Sequence, residues 1–199
     1  MKIFDTIFEI KEENAQKIVR HFPVFVTPNF LTWGRILLLP LLLILIWTNL
    51  YITALIIFVF AYLLDFLDGP LARARGQITD FGALFDPFAD KIIFLPVLLM
   101  LGHKALAIPI LATIFILEII LIILALILRP IAVKLKFKIK LGANIYGKTK
   151  MFFQVMGVIF LFLTPYAGLF TQIACIIFLF AIIFAMASII EHIFSIRRK

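Results

Sequence analysis

The sequence predicts an all-α fold: a polytopic integral membrane protein with six transmembrane helices behind an amphipathic helix lying at the interface. Three observations predict it. Hydrophobic residues fill 64% of the 199 positions and mean hydropathy is +1.17, whereas a soluble domain is nearer half apolar. Charged residues make up only 15%, too few to wet the surface of a soluble protein of this size. The apolar residues are gathered into runs, each near the ~20 residues that cross a bilayer.

In residues 1–26, Ile3, Phe4, Ile7, Phe8, Ile18 and Val19 recur at helical spacing with Lys11, Glu12, Glu13 and Lys17 between them, the pattern of an interfacial helix. The first apolar run begins near Phe30 behind this charged segment, so no cleavable signal is expected. Residues 27–199 form one transmembrane domain without internal repeats. Its spans are expected at about Phe30–Trp47, Ile52–Leu71, Ala83–Leu101, Leu106–Leu128, Met151–Leu163 and Gln172–Ile193. Trp33 and Trp47 suit interface anchors, and the many phenylalanines suit a lipid-facing surface.

The net charge of +8 is placed as a membrane protein places it. Lys2, Lys11, Lys17 and Arg20 precede the first span, and Arg73 and Arg75 follow the second. Arg129, Lys134, Lys136, Lys138, Lys140, Lys148 and Lys150 lie between the fourth and fifth, and Arg197, Arg198 and Lys199 end the chain. The turns after Trp47 and around Pro165 have no basic residue, and the turn after Leu101 has only Lys104. By the positive-inside rule both termini are cytoplasmic. A nucleic-acid binder would cluster its cations on a soluble face, and no soluble module is present to carry one. The lone Cys175 sits in an apolar run, allows no intrachain disulfide and reads as a small buried residue. His21, His103 and His192 are scattered at span ends, unlike a metal set.

Against this apolar background, the second and third spans hold Asp65, Asp68, Asp86 and Asp90 at their cytoplasmic ends. Charges inside a span cost several kcal/mol unless paired or functional. Asp65 and Asp68 are three apart and Asp86 and Asp90 four apart, so each pair shares a helix face. A short connection makes the two helices antiparallel neighbours, and four carboxylates then converge at one level. Like charges that close would protonate unless a cation sits among them. Oxygen-only donors suit Mg²⁺, Mn²⁺ or Ca²⁺ over zinc, and Mg²⁺ is commonly shared between carboxylates and substrate phosphates. Gly69, Ala72 and Gly82 leave room for a ligand or a neighbouring helix beside the backbone, and Arg73 offers a forked donor for phosphate oxygens. The residues alone therefore predict a cytoplasm-facing metal site for a diphosphate.

Asp65-x2-Asp68-Gly69-x2-Ala72-Arg73-x8-Gly82-x3-Asp86-x3-Asp90 resembles the signature of the CDP-alcohol phosphatidyltransferases at every fixed position. Eight positions at roughly one in twenty each make a chance match on the order of 10⁻¹⁰ per starting point. The resemblance, which extends from about Thr27 onward, implies six spans, a homodimer and one or two Mg²⁺ or Mn²⁺ ions held by Asp65, Asp68, Asp86 and Asp90. It implies contacts to the CDP-linked lipid from Asp68, Gly69, Ala72, Arg73, Gly82 and Thr32. Asp90 is implied as the general base that activates the acceptor hydroxyl, with release of CMP.

Further matches resemble the phosphatidylglycerophosphate synthase branch, whose substrates are CDP-diacylglycerol and glycerol 3-phosphate. They are Thr27-Pro28-Asn29-Phe30-Leu31-Thr32-x2-Arg35, Asp86-Pro87-Phe88-Ala89-Asp90-Lys91, and Gly147-Lys148-Thr149-Lys150 followed by Gln154. An anionic acceptor suits the basic fourth–fifth connection, with Lys148, Lys150 and Arg129 as candidates for its phosphate. Lys134, Lys136, Lys138 and Lys140 alternate with apolar residues and suit anionic lipid headgroups. Two positions depart from the branch. Leu117 stands where an Arg usually precedes the acidic residue of the fourth span, here Glu118, and Met151 replaces a Thr. Transfer to inositol phosphate, serine or phosphatidylglycerol therefore stays open. Glu118 needs a Lys or Arg from a neighbouring helix, and Pro70 either bends the second span or ends it. Two rivals come from other classes. A membrane prenyltransferase also uses aspartates and a diphosphate but needs more spans, and a cation transporter tends to show repeats and midplane sites.

Overall fold

The computed structural model describes residues 27–74, 80–124, 126, 137–138, 145–195 and 197–198. The N-terminal segment 1–26, read as an interfacial helix, and Arg129 lie outside the described residues. The described chain is a bundle of helices: α1 Pro28–Trp47, α2 Tyr51–Ala74, α3 Asp80–Ala105, α4 Ile108–Ile123, α5 Ile145–Leu163 and α6 Gly168–Ser195. A two-residue antiparallel ladder is added by β1, Phe137–Lys138, and β2, Arg197–Arg198.

Local chemistry explains the starts and turns. Thr27 caps α1 by accepting a hydrogen bond from the Phe30 amide at 3.1 Å, and Pro28 follows it in the first turn, where no amide is needed. The chain reverses between α1 and α2 at Asn49, whose φ of 60° is a region Asn tolerates better than most residues. The Tyr51 hydroxyl donates to Asn49 Oδ1 at 2.6 Å, and the Thr48 hydroxyl donates to the Ile44 carbonyl at 3.0 Å. Pro70 lies inside α2, which continues to Ala74, so this proline does not end the helix.

Among the described residues, four helices contain stretches long and apolar enough to cross a membrane: Phe30–Trp47, Tyr51–Ala72, Ile145–Leu163 and Gly168–Phe194. α4 is apolar but shorter, at 16 residues. It is helical as expected and begins at Ile108, inside the range read from its hydropathy; Leu124 and Leu126 continue the winding as π-helix, and 127–136 lie outside the described residues. The fifth helix starts earlier than its apolar run, at Ile145, so Lys148 and Lys150 lie on α5 and not in a connecting loop. Lysine is a good helix former, and Thr149 satisfies its hydroxyl on the Ile145 carbonyl at 2.9 Å.

α1 packs on both α2 and α3, α5 packs on α2, α3 and α6, and α4 bridges α3 and α6. One core runs through the bundle, built from Leu42, Phe58, Phe94, Val97, Ile114, Phe162 and Phe178 with their neighbours. Phe58, Phe94, Phe162 and Phe178 are fully buried, whereas Phe30, Phe60, Phe66, Phe152, Phe180 and Phe194 are exposed, so the phenylalanines expected on the lipid-facing surface are divided between that outer surface and the core. Lipid tails are as apolar as these rings, so burial here gains shape fit and dispersion more than escape from water. Small residues make the fit possible: Ala54, Ala61, Ala174 and Ala181 are buried at helix contacts. Trp33 and Trp47 are exposed, at 65% and 80%, as interface anchors require. A smaller cluster of Leu31 and Leu71, flanked by Leu64 and Leu67, joins α1 to α2 near the signature.

Candidate functional site

α2 carries the first half of the aspartate signature in its last turns, and α3 carries the second half in its first turns. Asp65 and Asp68 lie about one turn apart on α2, as do Asp86 and Asp90 on α3. α1 contacts both helices. Of the four aspartates, Asp65 has a described side chain. It is only 13% exposed and forms an ion pair with Arg35 of α1, which is 4% exposed. Arg35 belongs to the quoted Pro28–Arg35 segment but had no role assigned from sequence. The available signal was an intramembrane cation one helix away from an intramembrane acid.

Thr32 and Ala72 are partly buried on α1 and α2, and Lys148 is exposed near the start of α5. The side chains of Asp68, Gly69, Arg73, Gly82, Asp86 and Asp90 lie outside the described residues, as does all of Arg129.

The second charged centre is built around Glu118. This residue is fully buried on α4, and its partners come from two other helices. Lys150 of α5 donates to Oε1 at 2.7 Å, and Gln154, one turn further along α5, donates to the same oxygen at 2.6 Å. Lys91 of α3 places its ammonium 2.8 Å from Oε2. That contact is ionic, since Oε2 accepts no aligned hydrogen bond among the described residues. Lys91 is also 5.4 Å from the centroid of the Phe94 ring, within cation–π range. The partner demanded for Glu118 by its sequence position is thus a pair of lysines. Lys91 and Gln154 were visible only as members of matched segments, because their proximity to Glu118 is set by helix packing. Lys150, read as a phosphate contact, is 6% exposed and already engaged with the carboxylate.

A cleft of about 710 Å³ opens at the other end of the bundle, lined by Trp47, Asn49, His103, Lys104, Thr164 and other residues of three turns. It is remote from the aspartate-bearing ends of α2 and α3. His103 there contacts the Leu99 carbonyl through Nδ1 at 2.9 Å, in keeping with an interfacial and not a catalytic histidine.

Residues 25–190 match the protein-family model of CDP-alcohol phosphatidyltransferase. Among similar proteins are three named CDP-diacylglycerol–glycerol-3-phosphate 3-phosphatidyltransferase. The one from Rickettsia typhi is 39% identical over 80 residues, covering 39% of this chain and 45% of the relative. The one from Aquifex aeolicus is 42% identical over 65 residues, covering 33% and 36%. The one from Pseudomonas fluorescens is 40% identical over 82 residues, covering 39% and 41%. The chain therefore spans less than half the length of these relatives. No solved structure matches it. The aspartate signature falls wholly inside the family match, on two helices of an apolar bundle. By that match, this integral membrane protein belongs to the CDP-alcohol phosphatidyltransferase family.

Proposed function

We propose that the protein transfers a phosphatidyl group from CDP-diacylglycerol to glycerol 3-phosphate, giving phosphatidylglycerophosphate and CMP. The observation that carries the reading is the unbroken aspartate signature, inside the family match, on two helices that both pack on α1. The names of the similar proteins support the choice of donor and acceptor.

Mg²⁺ or Mn²⁺, one ion or two, is the proposed cofactor, held by Asp65, Asp68, Asp86 and Asp90. Asp65 fits such a group. Its carboxylate is largely buried and ion-paired with Arg35, with which a metal would share it, and carboxylate oxygens suit hard divalent ions. The bound metal would neutralise charge on the diphosphate and on the leaving CMP. Gly69, Ala72, Arg73, Gly82 and Thr32 are assigned to the CDP moiety, with Asp68 shared between it and the metal. Asp90 takes the proton of the acceptor hydroxyl. The hydroxyl oxygen bonds to the phosphorus bearing the lipid, and the bond from that phosphorus to the CMP oxygen breaks. Lys148, Lys150 and Arg129 are assigned to the acceptor phosphate.

We further propose that α3 and α4 complete six spans, that both termini and the site face the cytoplasm at the inner membrane, and that the chain is a homodimer. A second acceptor within the family is favoured by one feature: Leu117, not Arg, precedes Glu118. Incubating purified protein with CDP-diacylglycerol, Mn²⁺ and each alcohol in turn separates the two. CMP release with glycerol 3-phosphate alone supports the first reading, and release with inositol phosphate or serine instead replaces it.

A further inference from the structure

The cleft at the end of the bundle away from the aspartates takes no part in the proposed reaction, yet its lining is chemically one-sided. Residues 36–64, 92–117 and 151–190, which hold the three turns at this end, carry one formal charge among them, Lys104. That lysine lines the cleft, and none of those stretches contains an acidic residue to pair with it. A cation in the last turn of α3 already suits a helix C-terminus, so Lys104 alone names no ligand. Two further donors accompany it. The Tyr51 hydroxyl takes Asn49 Oδ1 at 2.6 Å, which leaves the amide nitrogen of Asn49 to donate elsewhere. The half-buried Thr171 hydroxyl has no hydrogen-bond partner among the described residues. Thr164, by contrast, commits its proton to the Leu161 carbonyl at 2.8 Å. Asn49, Lys104 and Thr171 come from three different helical hairpins and line one cavity.

The walls say what kind of anion fits. The volume of about 710 Å³ lies within the ~300–1,000 Å³ of small-molecule sites. The apolar lining runs from buried Ile46 and Leu101 out to Leu99 and Trp47, which are 52% and 80% exposed on the outer surface of the bundle. A water-borne anion uses only the donors, whereas an amphiphile uses the donors and the apolar wall together. Trp47 and Tyr51 supply the aromatic rings that favour the level where headgroups meet chains. We propose that this cleft binds one anionic glycerophospholipid of the leaflet opposite the aspartates. Lys104, Asn49 and Thr171 take its phosphate, and its first chain carbons lie along Leu99 and Trp47. One bound lipid then ties three hairpins together at an end of the bundle that has no ion pair among the described residues. The site stands apart from the transferase reaction, and CMP release plays no part in its test.

The test uses the full chain in detergent micelles with Trp33→Phe as the parent, which leaves Trp47 the sole tryptophan. Brominated phosphatidylglycerol and brominated phosphatidylcholine are added at equal mole fraction, and quenching of Trp47 reports how well each occupies the cleft. The two lipids share phosphate and chains and differ in net charge. A lysine merely near the surface favours an anionic lipid about fivefold, and the parent is expected to favour phosphatidylglycerol by about tenfold or more. Lys104 is exposed, so Lys104→Gln keeps the fold and should bring the preference close to one. Thr171→Val removes a donor from the wall with every charge left in place, and should cut the preference about threefold. Lys104→Gln with Ile108→Lys moves the cation outside the cleft, to a position 81% exposed at the start of α4, and should recover only part of the preference. A parent preference no larger than that of the relocated lysine, or a Thr171→Val variant that behaves as the parent, would leave only surface charge and overturn the site. Unchanged preference in Lys104→Gln would overturn it as well. Loss of the preference in millimolar inorganic phosphate would make the cleft a site for a soluble anion and overturn the lipid as its ligand.

Discussion

Arg35 and Asp65 face each other across α1 and α2 with side chains 4% and 13% exposed. Breaking one half of so buried a pair leaves a charge without compensation, at about 3–5 kcal/mol. Arg35→Gln is therefore expected to lower the thermal midpoint of the purified protein. Mn²⁺ should restore part of the loss, because a bound cation supplies Asp65 with the positive charge that Arg35 gave and binds only the folded state. Unfolding followed with and without Mn²⁺ checks both statements, and a variant indifferent to Mn²⁺ would count against Asp65 as a ligand. At this scale the sequence was half legible. An acid inside an apolar run announces itself by cost alone, so Asp65 and Glu118 stood out. Their partners did not, because Arg35, Lys91 and Lys150 are brought to them by packing between helices and no local spacing records that.

Helix α5 lies against α6 through a glycine. A Cβ built at Gly157 would sit 2.8 Å from the tip of the Phe178 ring, and Phe178 is fully buried, so the ring has little room to withdraw. Gly157→Ala is expected to destabilise by about 1–3 kcal/mol through overpacking, read as a lower thermal midpoint in detergent. An unchanged midpoint would mean that α5 and α6 adjust freely. Gly34, with open space around its Cβ position, is the matched control, where the loss should be limited to helix propensity and run the other way. The helices themselves were the most legible feature of the chain, because apolar run length is a direct physical requirement of the bilayer. Their ends were less so. The Thr27–Pro28 start is written locally in a cap and a proline. The start of α5 is not: its first turns hold Gly147, Lys148 and Lys150, polar residues that hydropathy assigns to a loop, although a buried carboxylate on α4 satisfies one of them.

The whole molecule divides its charge between two ends. The turns at Asn49, at Leu106 and at Pro165 carry one lysine and no arginine among them, while the signature lies towards the opposite end. On the proposed orientation, which puts both termini in the cytoplasm, a cysteine placed at Tyr166, which is 58% exposed, should react with a membrane-impermeant maleimide in intact cells. One placed at Lys199 should react only after the membrane is opened. Both substitutions are made in a Cys175→Ser background, since Cys175 is the chain's sole cysteine. Reversed labelling would put the aspartates on the wrong side for a cytoplasmic nucleotide.

CMP release reads what this bundle does with those aspartates. Purified protein is given CDP-diacylglycerol, Mn²⁺ and glycerol 3-phosphate, beside Asp90→Asn and a chelator control. CMP release is expected in wild type, to be lost with the chelator and to fall by about 10²–10⁴ in Asp90→Asn, the usual worth of a general base. Folded wild-type protein that releases no CMP with metal present, or an Asp90→Asn variant that releases it at the wild-type rate, would contradict the account.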